Sequence, residues 1–137
     1  MTTLRIGIRS TPFGNMRFRV EIEGCPGVGA VGVVFPEARI GGDGQEPHRA
    51  RSGPLIVRRG LTRSRDWYAW WDAARNGLAS RRSVRIVLQD SREADATGWL
   101  FEDALPVAYL LSPLDALGNE PVIETLELAV GRFTQLP

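Results

Sequence analysis

The chain has 137 residues, 43% of them hydrophobic and 24% charged, which fits one packed domain and excludes both a disordered tract and a disulfide-stapled miniprotein. Its net charge is only +1, so nucleic acid or an anionic membrane would have to be met by a local basic patch. All 17 basic residues are arginine, which removes P-loop, Schiff-base and general-base lysine chemistry.

Cys25 is the single cysteine, so neither an intrachain disulfide nor a cysteine-based zinc site can form. Met1 to Ser10 lacks a signal-peptide apolar core and no apolar run has transmembrane length, so the chain is expected to fold in the cytoplasm.

From Met16 to Glu23 apolar even positions alternate with charged odd ones, the pattern of a half-buried strand, with Pro12 and Gly14-Asn15 before it and Gly24, Pro26 and Gly27 after it. A second strand, about Val28 to Phe35, is small and apolar on both faces, which predicts burial on both sides or close approach of another backbone. Pro36 to Pro54 is broken by glycine and proline and carries Arg39, His48, Arg49 and Arg51, so it reads as a long loop or arm, functional or mobile. Leu55 to Arg59 reads as a strand ended by Gly60.

Thr62 or Ser64 then caps a helix over about 63–76, with Asp66 in its first turn and Asn76-Gly77 as its stop. Trp67, Trp70, Trp71 and Ala74 share one face of it, and Leu78 lies just beyond. Such an aromatic stripe serves as a ligand platform less often than as core, and the core reading is preferred; Trp99 and Phe101 join the predicted core.

Val84 to Leu88 is a strand, Gln89 to Thr97 a polar turn, and Gly98 to Glu102 the hairpin partner. Ala104 to Ser112 continues extended, with Pro106 demanding a bend or an edge, and Pro113 to Pro121 is a loop. In the last strand, Val122 to Val130, Val122, Leu126, Leu128 and Val130 share a face with Glu124, which breaks the pattern and needs a partner. The fold class expected is mainly β: an antiparallel two-sheet barrel or sandwich of six to seven strands, one flanking helix and a long arm over about 36–54, all within residues 1–137 as a single domain.

Chemistry-bearing clusters are sparse. His48 is the lone histidine, sits in the glycine-rich arm and has no companion for a metal site. Asp90, Glu93 and Asp95 could hold a hard cation or act as acid and base, yet they fall on a hairpin turn where polar residues are expected anyway. Ser10, Ser52 and Ser64 lack a nucleophile-elbow context, so no catalytic, cofactor-binding or metal residue is assigned and the chain is not expected to be an enzyme.

Arg49, Arg51, Arg58, Arg59, Arg63 and Arg65, with Arg81 and Arg82, make a basic run. No aromatic interleaves them as a base-stacking groove requires, so a protein interface is preferred to nucleic acid. A small-molecule-binding β-barrel and a nucleic-acid-binding module stand as the alternatives.

A family resemblance is carried by Pro12-Phe13-Gly14-Asn15-Met16-Arg17-Phe18, Arg58-Arg59-Gly60-Leu61-Thr62, Trp67 through Trp71, Trp99 through Pro106, and Gly118 through Leu128 in this order. Together they resemble the tail tube proteins of contractile phages and extracellular contractile injection systems. The sequence departs from that pattern at Val33 to Ile40 and at Leu105, which suggests a specialised arm.

The resemblance implies a protomer that closes with five others into a hexameric ring, stacks ring on ring around a lumen that holds cargo, and sits inside a contractile sheath, between a baseplate or spike and a tube-terminating protein. No cofactor is implied, and no membrane for the monomer. The product would be a phage-like particle, assembled in the cytoplasm and released or acting outside the cell. Both the repeating tube subunit and a tube-initiating variant fit. The subunit interface it implies comprises Arg39, Ile40, Gly41, Gly42, Arg49, Arg51, Arg58, Arg59, Asn119, Glu120 and Glu124.

Overall fold

The computed structural model describes residues 17–26, 29–40, 50–92 and 94–137, with the side chains of 50–52 excepted. Within them lie β1 (Phe18–Ile22), β2 (Ala30–Val34), β3 (Ala38–Ile40), β4 (Ala50–Ser52), β5 (Leu55–Gly60), α1 (Asp66–Arg75), β6 (Arg82–Gln89), β7 (Asp95–Leu111), β8 (Ile123–Ala129) and β9 (Arg132–Leu136). Seven strands form one antiparallel array in the order β1-β6-β7-β8-β5-β2, with β9 added to β7, while β3 and β4 pair only with each other.

β7 is what folds this array into two layers. Its first half pairs β6 and β9, its second half pairs β8, and the handover falls at Asp103, whose φ of 57° lies in the left-handed region that aspartate tolerates better than most residues. Sequence reading divides this segment at Asp103 into two extended runs; the structure makes it one strand of 17 residues. Pro106 is buried at a bulge between Pro106 and Ala108, in the half of β7 that pairs β8 on one side only, so the missing donor falls where a bend and an open strand edge both tolerate it. β1 and β2, the two ends of the array, approach each other and bring the layers toward a barrel.

The enclosed faces build the core. Leu55 and Val57 of β5, Val84 and Ile86 of β6, and Leu126 and Leu128 of β8 point inward at alternate positions, while Phe101 and Ala104 of β7 point inward on either side of the break in alternation at Asp103. Trp67 and Trp70 of α1 join them, and Trp71, Trp99 and Phe133 are half-buried against the cluster. Phe101 stacks on Phe133 at 5.4 Å between ring centres. At Gly98 a Cβ would lie 2.9 Å from the Ile86 carbonyl oxygen, so only glycine lets β7 and β6 lie this close.

The helix starts later than its sequence suggests. Thr62 and Ser64 do not cap it: Thr62 Oγ1 accepts the Ser64 N–H in a local turn, Arg65 occupies the N-cap, and the Asp66 carboxylate takes the Trp67 N–H at 2.8 Å. Its end is the expected Asn-Gly stop: Gly77 at φ 73°, its N–H bonded to Ala74 O and the Leu78 N–H to Ala73 O, the Schellman pattern.

Three further expectations change. Pro36 to Pro54 is not wholly a loop, because β3 and β4 pair within it through Ala38–Ser52, Arg39–Arg51 and Ile40–Ala50. β2 is not buried on both faces, since Val31 and Val34 are exposed while Val33 packs on the core. β9 was not anticipated. Only Phe133 of its residues reaches the core, so its sequence shows too little alternation to read as a strand.

Candidate assembly surfaces

Glu124, the polar residue on the inward face of β8, has found its partners inside the protomer. Register on the β5–β8 ladder sets Arg59 opposite it, and the Arg59 Nε donates to Glu124 Oε1 at 2.7 Å. From β7, Tyr109 donates its hydroxyl to Glu124 Oε2, and from the start of α1 Asp66 accepts a second bond from the Arg59 guanidinium. The guanidinium lies over the Trp67 ring at 4.1 Å. Side-chain exposure is 7% for Arg59 and 1% for Glu124, so both charges are satisfied within the protein rather than by water.

Burial by itself would push the Asp66 carboxyl up, but the hydrogen bonds and charge of Arg59, with a bond from Ser64, outweigh it and hold the group below the usual aspartate range. The Tyr109 hydroxyl is pushed well above the tyrosine range by burial and by donating to Glu124, whose charge a tyrosinate would oppose.

This placement separates the predicted interface residues. Arg59 and Glu124 are interior and bind the helix, β5, β7 and β8 to one another. Arg58, one residue from Arg59, faces the other way and is exposed, as strand alternation requires. Arg39 and Ile40 are exposed on the β3–β4 ribbon, where Arg39 is held by Glu37 at 2.6 Å. Asn119 and Glu120 are exposed in the loop between β7 and β8. Arg51 lies on β4, and Gly41, Gly42, Arg49 and His48 lie outside the described residues.

The ribbon is anchored at its base by a bond from Gly53 N–H to Glu37 O at 2.9 Å and otherwise pairs with no strand of the barrel. Between β1 and β2 the barrel leaves a groove of about 410 Å³ lined by Phe18, Val31, Val33, Phe35, Leu88 and Trp99, among others. Phe35 lies edge-on to Trp99 at 4.8 Å and closes one end of it. Sequence reading missed this groove because Val31 and Phe35 look like ordinary strand residues; only the strand order reveals that no strand among the described residues covers them.

The carboxylates near residue 90 are structural. Asp90 Oδ1 accepts the N–H groups of Arg92 and Ala94, shaping the β6–β7 turn, and Asp95 pairs with Arg19 at 3.2 Å; Glu93 lies outside the described residues. Among the described residues no cluster of metal-ligating side chains is found, and no helix is long and apolar enough to cross a membrane.

Residues 14–134 match the model of the T4-like virus tail tube protein gp19 family. The chain belongs to that family. Its fold is similar to that of solved structures of such assemblies. One is the PVC sheath–tube complex of an extracellular contractile injection system in the extended state, at 17% identity over 98% of this chain and 97% of that chain, with a TM-score of 0.76. Another is the anti-feeding prophage baseplate, six-fold symmetrised, at 24% identity over 93% and 97%, with a TM-score of 0.67. Hcp1 from Flavobacterium johnsoniae shares the fold at 15% identity over 86% and 93%, with a TM-score of 0.64. No curated protein sequence matches the chain.

Proposed function

We propose that this tail tube family member is a non-enzymatic structural subunit of the inner tube of a contractile injection system or phage tail, forming hexameric rings that stack into a hollow tube. The observation that carries the reading is the family match over residues 14–134, joined to a barrel whose edge strands β1 and β2 end without partners among the described residues. Open strand edges are a liability in a free monomer and a resource in an assembly that pairs or covers them. The detached ribbon and the exposed leucines of the β7–β8 loop supply further contact surface of the kind that repeated heterologous packing needs.

Its partners, on this reading, are copies of itself, a contractile sheath, a baseplate and a tube-terminating protein, the components with which the similar structures were solved. Negative-stain imaging and sedimentation of the purified chain test the proposal. Rings or tubes with a central channel are expected as concentration rises; monomers that persist at high concentration would sink it.

A further inference from the structure

Two apolar features of the protomer are left without a counterpart among the described residues. One is a protrusion. In the loop joining β7 to β8, Leu114 is 81% exposed and Leu117 94% exposed. A single exposed leucine needs no explanation, but this pair sits on a loop whose shape is already set. Asp115 accepts the Leu117 N–H through Oδ1 and the Gly118 N–H through its carbonyl, both at 3.0 Å. Ser112 bonds across the loop base to Ile123, by its N–H at 2.9 Å and its Oγ at 2.8 Å. Little ordering entropy remains to be lost on docking. The other feature is the groove between β1 and β2, whose wall of Phe18, Val31, Val33, Phe35, Leu88 and Trp99 is apolar and open to solvent.

We propose that Leu114 and Leu117 of one protomer insert into the β1/β2 groove of a second copy of the chain; that the occupant is a second copy rests on the tube-subunit reading. Charge supports the match. The loop's ionisable residues are Asp115 and Glu120, with no cation among residues 113–121. At the groove, the exposed Arg58 runs its side chain alongside Gly32, a residue of the groove wall. The acidic protrusion thus has one exposed arginine, Arg58, to meet beside the groove, while same-surface pairing of two such loops would set like charges together.

Strand register gives the contact its direction. The protrusion leaves the barrel where Gly60 faces Ile123, whereas the aromatic end of the groove follows Val34, which faces Ile56, four residues earlier on β5. At about 3.3 Å per residue the two ends are about 13 Å apart along the strands. Donor and acceptor are different surfaces of the barrel, the β7–β8 loop and the β1/β2 seam, so head-to-tail packing can pass the contact from copy to copy.

Cysteine pairing in the full-length chain tests this. Leu117→Cys and Val31→Cys proteins, mixed and mildly oxidised, should cross-link to each other, and neither should cross-link when alone. Leu114→Asp/Leu117→Asp should keep its melting temperature, because these side chains are exposed, while its association weakens by at least about tenfold, the factor that burial of one leucine side chain is worth. Wild-type assembly matched by the double aspartate variant, with no cross-link in the mixture, assigns the groove to another occupant and overturns the proposal while leaving the tube reading standing. A wild-type chain that never assembles brings down the tube reading, and a cross-link formed in the mixture even then would uphold the contact.

Discussion

At the residue scale, the fold depends on an unusual investment in buried charge. Removing one member of a buried ion pair leaves its partner desolvated and unsatisfied, which costs about 3–5 kcal/mol. Glu124→Ala should therefore destabilise by about that amount, since it takes the buried acceptor from the Arg59 Nε and the Tyr109 hydroxyl and leaves Asp66 alone to hold the guanidinium, and urea unfolding would measure it. Replacing Arg59, Glu124, Tyr109 and Asp66 together by Met, Leu, Phe and Asn should cost far less than the single change, because no charge is left unpaired. Equal losses in the two proteins would refute the pairing. The Tyr109 hydroxyl adds a pH dependence. Its folded value is raised above the ordinary 10.0, so the stability it contributes is complete below that pH and is lost as pH rises from there toward the folded value, the unfolded chain releasing the proton first. Tyr109→Phe should flatten this alkaline decline. Asp66 runs the opposite way: its folded value is lowered, so its contribution is present above the unfolded aspartate value of about 3.9 and is lost as pH falls through the folded one. Asp66→Asn should accordingly reduce the acid loss of stability, followed by the melting temperature between pH 5 and 2.

At the element scale, α1 is the chain's one amphipathic helix among the described residues, and it is tied to the barrel from both ends. Trp67 underlies the Arg59 guanidinium near its start, and Trp70 donates its indole N–H to Ser80 O at 3.1 Å while Arg82 lies over its ring at 4.8 Å. Trp70→Ala should cost about 3–5 kcal/mol, a large share of a small domain's stability, and thermal unfolding would show it; an unchanged melting temperature would remove Trp70 from the core. The stripe that places these tryptophans was legible in the sequence because helical periodicity is local. So were β1, β5 and β8, whose inward positions alternate cleanly, and β6, where Val87 is buried on the opposite face as well. What local pattern could not supply was pairing at a distance. Glu124 announced its need for a partner, but that the partner is Arg59, 65 residues away, follows from strand register alone. The same blindness left Arg59 and Glu124 assigned, through the family resemblance, to a subunit interface and hid β9, whose strand character comes from β7 beside it and not from its own alternation.

At the scale of the whole molecule, barrel and arm are separable. The β3–β4 ribbon makes its ladder bonds only to itself, and its two ends already meet at the Glu37–Gly53 bond of 2.9 Å. Excising residues 38–52 and joining Glu37 to Gly53 should therefore need little movement of β2 or β5, and among the described residues it removes no member of the buried core. A shorter loop also lowers the closure entropy slightly, so the melting temperature should stay the same or rise by a few degrees. Assembly is a different matter. An element whose described residues join neither the barrel's ladders nor its core, yet expose Arg39 and Ile40, has its use outside the protomer, and the excised protein should fold as a monomer or ring but fail to build long tubes. Circular dichroism reports the first outcome and electron microscopy the second. Full-length tubes from the excised chain would show that barrel surfaces alone carry the stacking, and the leucine protrusion and seam groove would then be the first place to look for it.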